Sequence, residues 1–174
     1  AIAERLCQIQ NLGEQVLVLF NARATMLAVS DYLDDKGVPH LTQDKNGMAY
    51  NVKRRFERKE SGMLLGTGSF WEGVDFVQSD KMIEVITRLP FDNPKDIFFQ
   101  KVSNHLLAQA KSPFYDYALP LTILKLKQAI GRTMRRENQR SAVLILDNRL
   151  LTKSYGKLMT DSLAEEFQLS SQKF

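Results

Sequence analysis

Short apolar runs alternate along this chain with segments whose apolar positions recur every three or four residues. Val16-Leu-Val-Leu-Phe20 is an unbroken apolar run, the pattern of a strand buried on both faces. Asn21 follows and suits the cap of a helix beginning at Ala22, with Met26, Val29 and Leu33 as its apolar face and Gly37 as its stop. Val38-Pro-His-Leu-Thr42 reads as a poorer strand, and Pro39 assigns it to an edge or to a strand start. Asn46-Gly47 marks a turn, and a basic helix is expected from Ala49 to Ser61. Met63–Thr67 and Met82–Thr87 read as strands, the first followed by a loop opening at Gly68. Leu89–Pro94 is a loop with two prolines, and a helix is expected over Lys95–Ala110. Ser112–Tyr117 reads as irregular, and Pro120 suits the first turn of the next helix. Ala142–Leu146 is the last clear strand, and one or two helices close the chain.

Repeated strand–helix–strand units with short connections imply an α/β fold, a mostly parallel central sheet with helices on both faces. No repeat, low-complexity tract or flexible linker interrupts the pattern, so a single domain spanning residues 1–174 is expected. In an open parallel sheet, ligands bind at the carboxyl ends of the strands. Those ends are Asn21, the Gly66–Phe76 loop, Arg88–Asn93 and Asp147–Arg149.

Composition narrows the function classes only a little. The 174 residues are 44% hydrophobic and 25% charged, with a net charge of +4. The cations are unevenly spread. Lys125, Lys127, Arg132, Arg135, Arg136 and Arg140 stand against Glu137 alone, which suits an anionic partner. The cations between Lys53 and Lys59 read as a solvated helix face. Cys7 is the single cysteine, which excludes an internal disulfide and a cysteine-ligated metal or cluster. His40 and His105 have no ligand-like partners at helical spacing, so no metal site is expected. No apolar run is long enough to span a bilayer, and Ala1-Ile-Ala-Glu-Arg-Leu reads as a helix rather than a signal peptide. A reduced cytoplasmic location is the default expectation. Without an initiator methionine, the chain reads as a piece of a longer protein.

Gln128-Ala-Ile-Gly131-Arg132-Thr-Met-Arg135-Arg136 is the most informative stretch. At helical spacing Lys125, Gln128, Arg132 and Arg135 share one side, and Ile123, Leu126, Ile130 and Met134 the other. A guanidinium fork on such a face can clamp phosphate oxygens, and Gly131 would let the helix approach another backbone. The bland alternative is a solvated basic face. A second group is Gly66-Thr-Gly-Ser-Phe-Trp-Glu-Gly-Val-Asp-Phe76. Its glycines allow close approach to a ligand, and Ser69 and the backbone amides suit an anion. Glu72 and Asp75 suit a ribose hydroxyl, a facing arginine or water near a cation. Phe70 and Trp71 suit either base stacking or the core. There is no Gly-x-x-x-x-Gly-Lys-Ser/Thr, so the loop is not a P-loop, and no Gly-x-Gly-x-x-Gly follows the first strand. The third group is Asn21-Ala22-Arg23, where a helix N-terminus can meet a nucleic-acid phosphate or simply be capped by Asn21. Asp147 and Arg149 suit either a local ion pair or a ligand contact.

These groups together resemble the second motor domain of superfamily 2 helicases, in the DinG/XPD branch. Gln128–Arg135 is similar to motif VI, Gly68–Phe76 to the DinG form of motif V, and Val16–Ala22 to motif IV. Leu89-Pro-Phe91 and Leu124–Gln128 add to the likeness, which runs from about Leu17 to Asp161. The resemblance implies a RecA-like three-layer sandwich and a DNA helicase in which ATP and Mg²⁺ are bound jointly with an N-terminal motor domain. It implies that Arg135 is the arginine finger, that Arg132 is a second γ-phosphate contact and that Gln128 links the cleft to motif V. Glu72, Gly73, Asp75 and Gly131 would line the nucleotide. Asn21, Arg23, Ser69 and Phe70 would lie toward single-stranded DNA. The alternatives are a nucleic-acid-binding module without hydrolysis and a small-molecule enzyme on a Rossmann-like sheet.

Overall fold

Gln15–Phe20 forms β1, and every one of its six residues is buried. That burial is possible because β1 is the middle strand of a sheet covered on both faces. The structure is a computed structural model describing residues 1–12, 15–71, 76, 81–133 and 141–170. Among these residues the sheet has five parallel strands, in the order β2-β3-β1-β4-β5. The others are β2 (Leu41–Thr42), β3 (Met63–Thr67), β4 (Met82–Ile86) and β5 (Ala142–Ile145). Between them run α1 (Ile2–Ile9), α2 (Arg23–Asp35), α3 (Ala49–Glu57), α4 (Ile97–Ala108), α5 (Leu119–Thr133), α6 (Arg149–Thr152) and α7 (Gly156–Ala164).

The expected strands and helices are present, and their bounds differ for local reasons. β2 shrinks to two residues at the sheet edge, as Pro39 has no N–H for a ladder. Asn21 is not the cap of α2. The cap is Ala22, whose methyl side chain cannot accept a hydrogen bond. Asp96 caps α4 instead of a start at Lys95, its carboxylate accepting from the amides of Phe98 and Phe99. Ser112–Tyr117 is not irregular throughout, because Phe114–Ala118 forms a π-helical turn running into α5. Pro120 cannot donate back to residue 116, which suits a widened turn.

Two compact units divide the chain, Ala1–Arg88 with Ala129–Leu146, and Leu89–Gln128 with Asp147–Phe174. The first contains the sheet. Val16, Val18, Phe20, Met63, Leu65, Ile83 and Val85 face one side and pack with Leu6 of α1 and Met26, Val29 and Leu33 of α2. Leu17 and Glu84, paired in register across β1 and β4, face the other side toward Ala129 and Thr133 of α5. His40 belongs to the first unit and is spent on structure, with Nε2 at 2.8 Å from Ser30 Oγ and Nδ1 at 2.8 Å from the Val38 carbonyl. In the second unit Phe91, Phe114 and Tyr155 form an aromatic cluster, with centroids 5.1–5.8 Å apart.

Candidate functional site

Parallel strands all end at the same edge of a sheet. Phe20 pairs in register with Thr67, and Leu19 with Ile86, so the ends of β1, β3 and β4 lie side by side. Asn21, Arg23 and Ser69 are exposed beside this edge. Arg23 also pairs with Asp44, Nε to Oδ2 at 2.7 Å. Gly68 opens the loop after β3 with φ +54, the left-handed region that favours glycine.

Trp71 closes the short turn that follows. Its indole Nε1 donates to the Phe20 carbonyl at 2.9 Å, which fixes the ring to the end of β1. Its own carbonyl accepts a hydrogen bond from Arg132 Nη2. The apolar side of α5 is buried at Ala129 and Ile130, and Arg132 on its last turn is partly buried rather than fully solvated. The guanidinium is thereby tied to the strand-end edge. Thr133, the next residue, donates from Oγ1 to Oε2 of Glu84. Gln128 is an exposed residue of the same helix.

Glu84 was not singled out by its sequence context, although an acid within Met82-Ile-Glu-Val-Ile-Thr87 is an available signal. It is 1% exposed on β4. Burial pushes its carboxyl up to about 7, against the pull of the Thr133 hydrogen bond and the Arg132 charge. Leu17, Phe70, Phe76 and Ala129 complete the small cavity around Glu84, Arg132 and Thr133.

One expectation changes here. Phe70 does not lie toward a nucleic-acid strand. It is 1% exposed, stacks on Phe76 with centroids 6.2 Å apart, and lies against the Cα of Gly66. Burial of the ring removes it from base stacking. Gly131 meets no close backbone among the described residues, where a Cβ placed on it would find nothing within 4 Å. Glu72, Gly73, Asp75 and Arg135 lie outside the described residues. Asp147 and Arg149 form a local ion pair, Oδ2 to Nη2 at 2.5 Å.

A parallel sheet with helices on both faces, whose strand ends carry an arginine from the following helix, defines a RecA-like domain of the helicase type. Residues 3–166 match the family model described as the helicase C-terminal domain, and the chain belongs to that family, in its DinG/XPD-like form. Among its relatives, the 3'-5' exonuclease DinG of Bacillus subtilis is 32% identical over 154 residues, covering 86% of this chain and 16% of that protein. The ATP-dependent DNA helicase YoaA of Haemophilus influenzae is 31% identical over 148 residues, covering 84% of this chain and 23% of that protein. The chain therefore spans less than a quarter of the length of these relatives. An XPD helicase structure aligns with a TM-score of 0.68 at 20% identity, covering 94% of this chain and 30% of that one. The C-terminal domain of the DEAD-box protein Dbp5 aligns with a TM-score of 0.51 at 14% identity, covering 95% and 81% respectively. Both share the fold.

Proposed function

We propose that this chain is the second motor domain of an ATP-dependent DNA helicase, one wall of an ATP site completed by a first motor domain of the same longer protein. The observation that carries the reading is the hydrogen bond from Arg132 to Trp71, which ties a guanidinium to the strand-end edge in a member of the helicase C-terminal family. A guanidinium already donating to a carbonyl oxygen has the chemistry to take a phosphate oxygen. These donors fit a triphosphate, and the phosphate-cradling lysine and the Mg²⁺-binding acids would come from the partner domain.

In this reading Arg135 is the arginine finger, Arg132 contacts the γ-phosphate and Gln128 links the cleft to the loop after β3. Glu72, Gly73, Asp75 and Gly131 line the nucleotide. The exposed Asn21, Arg23 and Ser69 meet single-stranded DNA, beside the N-terminus of α2. Hydrolysis drives movement along the strand as the two motor domains close and open. No helix among the described residues is long and apolar enough to cross a membrane, which accords with a cytoplasmic site of action.

The test compares the isolated chain with the longer protein. The longer protein hydrolyses ATP with Mg²⁺ and single-stranded DNA, and the isolated chain does not. In the longer protein Arg135→Ala lowers turnover by roughly 10³-fold while ATP binding changes little. Brisk hydrolysis by the isolated chain would overturn the composite site. Tight, salt-sensitive strand binding by the isolated chain, with no hydrolysis by either protein, would instead identify a binding module.

A further inference from the structure

Glu84 is a buried acid that the proposed ATP chemistry does not use. A carboxylate removed from water costs several kcal/mol unless it is paired or hydrogen-bonded. An apolar residue would fill the same place on β4 more cheaply, as Ile83 and Val85 do beside it. Both polar partners of the carboxyl come from consecutive residues of one helical turn. Thr133, itself 4% exposed, donates to Oε2. Arg132 places its positive charge close enough to favour ionisation. Oε1 has no hydrogen-bond partner among the described residues, so one oxygen stays directed at the cavity that Arg132 also lines. The other cavity-lining residues, Leu17 of β1, Phe70, Phe76 and Ala129, carry no charge. Arg132 is thus the charged group facing Glu84 among the described residues.

We propose that Glu84 is the positioning residue for Arg132. Its hydrogen bond with Thr133 anchors the last turn of α5 to β4, and its charge holds the guanidinium beside the Trp71 carbonyl, at the strand-end edge. The proposal rests on the helicase reading above. It adds that the angle at which Arg132 meets phosphate is set from beneath the helix, by an acid that never touches the nucleotide. A shift of about an ångström in such a group is costly in turnover, so the anchor acts on kcat rather than on ATP affinity. Because burial pushes the carboxyl up to about 7, the anchor loses its charge as pH falls through neutrality.

The experiment uses the longer protein and single-strand-stimulated ATP hydrolysis. Glu84→Gln keeps the shape and an acceptor for Thr133 and deletes the charge. The expected result is a roughly tenfold fall in kcat with KM for ATP within about twofold. The wild-type limb of declining kcat below pH 7 should be absent from this variant. Thr133→Val, which removes the hydrogen bond but keeps the charge, should give a smaller fall and retain that limb. In an Arg132→Ala background, Glu84→Gln should add nothing further. Unchanged kcat and pH profile in Glu84→Gln would overturn the proposal, and so would an undiminished loss in the Arg132→Ala background. If the wild-type protein itself hydrolyses no ATP with single-stranded DNA, the helicase reading fails and the proposal falls with it. That outcome is separate from a variant-specific failure.

Discussion

Arg132 donates to the main-chain carbonyl of Trp71, and Trp71 in turn donates from its indole to the carbonyl of Phe20. Two hydrogen bonds thus join the last turn of α5, the loop after β3 and the end of β1. Neither acceptor is a side chain. Substitution at Trp71 therefore leaves the Arg132 acceptor in place but frees the loop from β1, whereas substitution at Arg132 breaks the line at its other end.

Gly66 admits one such consequence for stability. A Cβ at this position would lie 2.4 Å from Cδ2 and 2.6 Å from Cγ of Phe70. Phe70 is 1% exposed, so the ring has little room to retreat. Gly66→Ala should destabilise the domain by about 1–3 kcal/mol through overpacking. Thermal unfolding of the wild type and the variant checks this, and an unchanged midpoint would show that the ring can move.

Asp147 is the acceptor hub of the second unit. It takes hydrogen bonds from the amides of Leu89 and Arg149 at 2.9 and 3.0 Å, and from the Arg149 guanidinium. Burial alone would raise its carboxyl, but the hydrogen bonds from Arg149 and Leu89 hold it below the ordinary Asp value. A lowered folded-state pKa contributes stability above the unfolded value near 3.8, lost as pH falls through the folded one. Asp147→Ala leaves the Leu89 amide without this acceptor and should cost about 1–3 kcal/mol at pH 7. Urea unfolding should show the difference between variant and wild type shrinking in strong acid. A constant difference would contradict the linkage.

Glu84 has the opposite sign. Its folded value of about 7 lies above the ordinary 4.5, so the stability it contributes is present below pH 4.5 and is lost as pH rises toward 7. The loss is on the order of 1–3 kcal/mol. Glu84→Gln removes this dependence and should flatten the stability profile between those values. Urea midpoints measured from pH 4.5 to 8 decide the matter, since parallel profiles for the two proteins would place the titration elsewhere.

β1 was legible in the sequence because a strand buried on both faces leaves an unbroken apolar run, and β3 and β4 because their runs stay mostly apolar around Gly66 and Glu84. The helical side of Arg132 was legible from spacing alone. What could not be read was tertiary. Phe70 looks the same in sequence whether it stacks on a base or on Phe76, and only the fold brings Phe76 and Gly66 to it. Asn21 is a good cap by type, but the chain turns one residue later, at Ala22. The π-helical turn before Pro120 was hidden in a stretch of aromatics without clear period. Glu84 was visible as an acid in a strand, yet its partners lie 48 and 49 positions onward, beyond any local pattern.

The brevity of β2 bears on behaviour outside any catalytic cycle. At two residues, and three positions from the start of the Val38-Pro39-His40 stretch, it presents the sheet's outer margin with almost no free backbone ladder. Longer flat edges invite pairing with neighbouring molecules and seed aggregation. Among the described residues this margin offers a passing chain only a two-residue ladder, which disfavours strand addition between copies along that side.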